Sequence, residues 1–130
     1  ETVSNLLRNT SDQLGARSPR WNNCVFNAVA GIHRKLGINL DDPATTWRWS
    51  KFEPPRNANH EANANNRWHL VLILAAGIAL LARRRRGLDL LIAVLCAFVL
   101  FCFYLKWQPF EARLLLPLFV LCAPVAGAEL

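Results

Sequence analysis

The stretch WHLVLILAAGIALLARRRRGLDLLIAVLCAFVLFCFYLK, Trp68 to Lys106, decides how the rest of the chain is read. Two apolar runs flank a block of four arginines. Trp68 to Ala82 holds fifteen residues without a full charge, bracketed by Arg67 and Arg83. Leu90 to Leu105 holds sixteen, closed by Lys106, and a third run of fifteen, Leu114 to Ala128, opens after Arg113. Each is shorter than the roughly 20 residues that cross a hydrocarbon core, which leaves three buried helices of a soluble domain as an alternative. Two features favour the membrane. No run has the polar face of a soluble surface helix, and each is flanked by Arg or Lys, whose long stems snorkel and lengthen the effective span. Trp68, Tyr104, Trp107 and Phe110 stand at the run edges, where an interfacial aromatic belt belongs. Pro117 and Pro124 are expected to kink the third span, which neighbouring helices tolerate.

The loops set the orientation. Arg83 to Arg86 and Gly87 make a tight, strongly basic connection, and the positive-inside rule puts it in the cytoplasm. Asp89 beside it pairs with the arginines at that surface. Residues 1–67 and the short loop Trp107 to Ala112 then share the opposite side. The reading is an all-α chain: a small helical and loop segment outside the cytoplasm, 1–67, followed by about three transmembrane helices within 68–130. The spans are placed at about 68–82, 88–106 and 113–129.

The polar segment is rich in Asn, Arg, Asp and Pro. Val3, Leu6, Leu7 and Leu14 fall on one face of a first helix that Gly15 stops. Ser18 followed by Pro19 starts a second, Ser as cap and Pro at the first helical position. Val25, Val29, Ile32 and Leu36 share its face. Lys35 near the carbonyl end and Gly37, able to take positive φ, close it. Residues 39–67, with Pro43, Pro54 and Pro55, read as a loop. The chain holds no Met and reads as a piece of a longer protein.

A net charge of +6 invites a nucleic-acid partner, but the arginine block lies between apolar runs with no recognition helix or zinc-finger spacing, and topology accounts for it. Nucleic acid is excluded on that ground. Cys96, Cys102 and Cys122 lie inside apolar runs, where a thiol behaves as a small hydrophobe. Cys24 has no evident mate, and no CxxC is present. Neither a disulfide framework nor a metal site is expected.

The candidate chemistry falls on one surface. His60, Glu61 and His69 cluster near the entrance to the first span, and Lys106, Glu111 and Arg113 at the mouth of the other two. Carboxylates and imidazoles serve as bases or metal ligands, and Arg matches phosphate oxygens bidentately. The His60-Glu61 to His69 spacing is not the HExxH of a helical zinc protease. His69 has a plainer reading as an interfacial ring, and Arg113 as a topology signal.

Trp107-Gln108-Pro109-Phe110-Glu111-Ala112-Arg113, followed by Leu114 to Pro117 and Leu121-Cys122-Ala123-Pro124, resembles the late membrane region of bacterial family 39 glycosyltransferases. These are relatives of the protein mannosyltransferases in the GT-C superfamily. Asn5-Leu6-Leu7-Arg8-Asn9, Thr45-Thr46-Trp47 and His60-Glu61 through His69 resemble an exocytoplasmic insertion of bacterial members. The Asn63 to Asn66 run departs from the tighter turn expected there. The resemblance implies a protein of the bacterial inner membrane. It would move a sugar from a polyprenyl-phosphate donor, held in the membrane lipid, to an acceptor outside the cytoplasm. It implies Arg113 at the donor phosphate, and His60, Glu61 and His69 along the acceptor side. The family's catalytic base lies in an earlier external loop, upstream of Glu1, so this piece needs the remainder of its polypeptide. No cofactor is named by these residues. The competing reading is a non-enzymatic polytopic protein, an assembly subunit or a transporter fragment. Transport is disfavoured because only Gly77, Pro117 and Pro124 interrupt the spans and no full charge lies at mid-depth.

Overall fold

A computed structural model of the chain describes residues 1–56, 65–83 and 87–129. The described residues form six α-helices and no strand: α1 Thr2–Asp12, α2 Pro19–Lys35, α3 Arg67–Arg83, α4 Leu88–Tyr104, α5 Glu111–Leu114 and α6 Leu116–Glu129. The chain is all-α.

The apolar runs become α3, α4 and α6, each packed on the other two. Ala76, Leu80, Leu91, Val94, Cys122 and Val125 form their shared core. Small residues let the helices close on one another. A Cβ on Gly77 would stand 3.2 Å from the Leu91 side chain, so no larger residue fits without a shift there. The outer faces are apolar as well, with Leu74, Ile78 and Leu81 on α3, Ile92, Leu95 and Phe103 on α4, and Val120 and Leu121 on α6 all exposed.

α4 and α6 are shorter than the spans read from the sequence, while α3 runs one residue past its span at each end. α3 and α4 have 17 residues and α6 has 14, and 17 residues rise only about 26 Å. Among the described residues no helix is long and apolar enough to cross a membrane. Two local events set the lengths. Leu105 turns extended (φ −103°, ψ 135°) and ends α4 at Tyr104, two residues early. The third run divides at Leu115 into α5 and α6. Pro117 therefore sits in the first turn of α6, where its missing N–H costs no helical bond, rather than kinking a longer helix. Pro124 does lie inside α6.

The first helix buries its polar face more deeply than its apolar one, where Leu6 and Leu7 are half-buried and Leu7 packs on Val29, Phe52 and Trp107. Its buried residues are Ser4, Asn5, Arg8, Asn9 and Ser11, while Val3 is exposed. α1 lies across the end of α4, where terminal carbonyls lack helical partners. Asn5 Nδ2 donates to both Cys102 O (2.9 Å) and Leu105 O (3.0 Å), which explains why a polar face is turned inward. At the same layer the Asn66 N–H donates to Gln13 Oε1 (3.0 Å) just ahead of α3. The end of α4 thus meets α1, and the residue ahead of α3 meets the one that follows α1.

The second helix begins and ends as its sequence reads. Ser18 Oγ accepts from the Trp21 N–H, Pro19 opens the helix, and Gly37 takes φ 66° just past its end. Val25 and Val29 are buried, but Ile32 and Leu36 are exposed, and His33 is turned inward instead. His33 Nδ1 donates to Val29 O (2.9 Å), and Nε2 shares a 2.8 Å hydrogen bond with Ser4 Oγ.

The loop after α2 is latched onto the α4–α5 connection. The Trp47 N–H donates to Trp107 O and the Trp107 N–H to Thr45 O, both at 2.8 Å, an isolated parallel bridge between Thr46 and Trp107. Trp107 was expected in an interfacial belt. It is instead buried with Val29 and Phe52 in the core of the polar segment, its ring edge-on to Phe52 at 5.3 Å. The loop carbonyls supply ladder partners that an exposed ring would forgo. Residues 1–67 expressed alone would lack Trp107 and the α4 carbonyls that α1 caps. They are expected to show no cooperative thermal transition by circular dichroism, and a sharp transition would refute this.

Candidate functional site

The residues singled out in the sequence are not gathered. His60 and Glu61 lie outside the described residues. His69 is exposed on α3, its ring 6.4 Å from that of Phe119, and it lines an apolar groove of about 310 Å³ between α3 and α6 with Leu72 and Ala123. Arg113 is exposed on α5 and makes no hydrogen bond or ion pair among the described residues. Lys106 is tied to the loop, its Nζ donating to Pro43 O at 2.8 Å.

The chemistry the structure does gather lies between α1 and α5. Arg8 is fully buried at its centre. Its Nη1 donates to Thr46 Oγ1 (2.7 Å) and Leu40 O (3.0 Å), and its Nη2 to Asn5 Oδ1 (2.7 Å) and Thr45 O (3.0 Å). The guanidinium also stands 5.4 Å from the centre of the Trp107 ring, a cation over an aromatic face. One turn on, Asp12 Oδ2 accepts from Trp107 Nε1 at 2.7 Å. Glu111, at the start of α5, is 1% exposed. Its Oε2 accepts from the Gln108 N–H at 3.3 Å. Glu111 Oε1, Asn9 Oδ1, Arg8 Nε and Gln13 Nε2 are buried with no partner among the described residues. Buried polar atoms are ordinarily paired, so this concentration sets the layer apart from a settled core.

Burial dominates the electrostatics. It raises the Asp12 carboxyl to about 7, against the opposing pull of the Trp107 N–H and of Arg8. It raises Glu111 to about 8, with the negative charge of Asp12 adding to the rise and the Gln108 N–H and Arg8 opposing it. Both carboxyls therefore hold protons near neutrality, where proton donors and acceptors work best. The sign for stability follows. The native state binds protons that the unfolded chain has released, so the contribution is complete below the ordinary carboxylate range and is lost as pH rises through about 7 to 8. The melting midpoint is expected to rise by several degrees between pH 8.5 and pH 5.5. Glu111→Gln should flatten that slope, and an unchanged slope in the variant would remove Glu111 as its source.

Asp12 opens onto a cleft of about 330 Å³. Trp49, Lys51, Arg56, Trp107, Phe110 and Ala112 line it with Asp12. Arg56 is held by an ion pair with Glu53. Among the described residues no group of three or more His, Cys, Asp or Glu is placed to hold a metal ion.

Arg8 and Asp12 escaped the sequence reading. The signal was present, since Asn5, Arg8, Asn9 and Asp12 recur at helical spacing, but on a short helix such a stripe is indistinguishable from a solvated face. Comparison with protein-family models, curated proteins and solved structures finds no match for this chain.

Proposed function

We propose that the chain is the membrane-embedded part, with an attached exocytoplasmic segment, of a glycosyltransferase that moves a sugar from a polyprenyl-phosphate donor to an acceptor outside the cytoplasm. The observation that carries the reading is the position of Asp12. A carboxyl able to exchange its proton near neutral pH lines an open cleft. That cleft stands at one end of three helices whose outer faces are apolar. Contiguous exposed apolar faces of this kind belong against lipid or a protein partner. Lipid fits 17-residue helices when Arg67, Lys106 and the exposed Trp68 and Tyr104 reach the interface and extend the effective span.

In this reading Arg113, two residues beyond Glu111 and next to the cleft wall at Ala112, meets the donor phosphate. The groove between α3 and α6 beside His69 holds part of the prenyl chain. His60 and Glu61 remain candidates for the acceptor side. The resemblance of Trp107 to Pro117 to family 39 transferases supports the same assignment.

Two measurements test it. In intact cells, with Cys24 replaced by Ser, an impermeant thiol reagent should label a cysteine at Arg48 and spare one at Asp89. The purified protein, reconstituted in lipid, should transfer labelled sugar from a synthetic polyprenyl-phosphate donor. Labelling of Asp89→Cys alone would reverse the topology. A protein that stays soluble without detergent and turns over no donor would defeat the transferase reading and leave the assembly subunit.

A further inference from the structure

The cleft over Asp12 has a lining that selects among ligand classes. Its volume of about 330 Å³ lies in the range of small-molecule sites, about 300–1,000 Å³. Both charge signs face it. Lys51 and Arg56 oppose a cation, while Glu53 and Asp12 oppose an anion, and the Arg56–Glu53 ion pair takes two of the four out of play. What remains is one amine, one carboxyl and two rings open to solvent.

The rings are unusual. Trp49 is 101% exposed, so its side chain makes almost no contact within the chain. Its backbone also holds φ 65°, the left-handed region that a bulky residue rarely adopts. A strained, unpacked Trp contributes nothing to folding, and such strain concentrates where a ligand is clamped. Phe110, 52% exposed, lines the same cleft. Pro54, Pro55 and Pro109 are also in the lining and restrict its backbone.

Two solvent-open aromatic rings, a carboxyl in the same lining and little net charge suit a neutral polyhydroxylated ring. Its C–H faces pack on the aromatic rings while its hydroxyls reach Asp12 and Lys51. We propose that this cleft is a saccharide-binding site, with Trp49 and Phe110 as stacking walls and Asp12 as the hydroxyl partner. As the acceptor subsite it rests on the transferase reading and deepens it, making the acceptor a carbohydrate hydroxyl. As a binding site it stands apart from that reading.

The test separates the two. The intact protein in lipid nanodiscs is titrated with maltotriose and mannotriose, followed by Trp fluorescence and by saturation-transfer NMR of the sugar protons. Saturable binding to at least one is expected, weakened at least tenfold in Trp49→Gly and in Asp12→Asn. Trp49→Gly keeps the positive φ accessible and removes a ring that packs on nothing, so its melting midpoint should be unchanged or higher. Loss of binding therefore reports the stacking wall and not the fold. Binding without transfer activity would sustain the cleft and count against the transferase. Transfer without saturable sugar binding, or binding indifferent to Trp49→Gly, overturns the cleft assignment, as does displacement of neither sugar by the other when both bind.

Discussion

Arg8→Leu is expected to destabilise the folded chain by about 3 kcal/mol, because several buried acceptors lose their donor at about 1–3 kcal/mol for each left unsatisfied. Leucine fills much of the space but donates nothing. Leu40 O loses its donor, and Asn5 Oδ1 and Thr46 Oγ1 each lose a 2.7 Å bond. Thr45 O keeps the Trp107 N–H and so suffers less. The cation that opposes the rise of Asp12 and Glu111 also disappears, and both carboxyls should move further up. Against a typical total of about 5–15 kcal/mol, the variant is expected to populate unfolded polar segment at 37 °C. Chemical denaturation in a mild detergent measures the change. Arg8→Lys should recover only part of it, since an ammonium cannot fork to four acceptors. A loss under about 1 kcal/mol for Arg8→Leu would mean that water satisfies these carbonyls and that the network is dispensable.

Arg113→Lys in the intact protein is expected to lower transfer activity about tenfold to hundredfold with normal abundance and insertion. The exposed guanidinium of Arg113 meets no partner among the described residues, so the substitution disturbs no internal contact. As a phosphate ligand it needs the planar fork, for which Lys is a poor replacement. As a topology signal it needs only positive charge, which Lys supplies equally well. A hydrogen bond to a charged group is worth roughly 1.5–3 kcal/mol, and that energy sets the range if the contact is made in the transition state. Arg113→Ala should be worse and should also weaken donor binding. Full activity in the Lys variant would reduce Arg113 to a membrane anchor.

Hydropathy alone located the three apolar helices. A helix buries its own backbone polar groups, so a long apolar run leaves few other conformations open. The start of α2 at Ser18 and Pro19 and its end at Gly37 were equally legible, because capping and positive φ are properties of single residues in their local frame. The contact between residues 1–67 and the Trp107 loop is made by the backbone pairing of Thr45 and Trp47 with Trp107.

What the sequence could not carry was which face of α1 is inside. Val3, Leu6 and Leu7 make an ordinary apolar stripe, and a local rule buries it. The opposite face is buried because its partners lie far along the chain, Leu40 O for Arg8 and Cys102 O and Leu105 O for Asn5, at separations of 32, 97 and 100 residues. Polar residues are buried only where such donors and acceptors converge, and convergence is a property of the assembled fold. The same holds for Trp107, whose indole found Asp12, Phe52 and Arg8 rather than the interface. The sequence by itself determined five of the six helices and their order, α5 being the exception. Only the tertiary structure decided that a buried arginine and two protonatable carboxyls stand where the apolar helices end, because that layer exists only once distant carbonyls are brought within reach of α1.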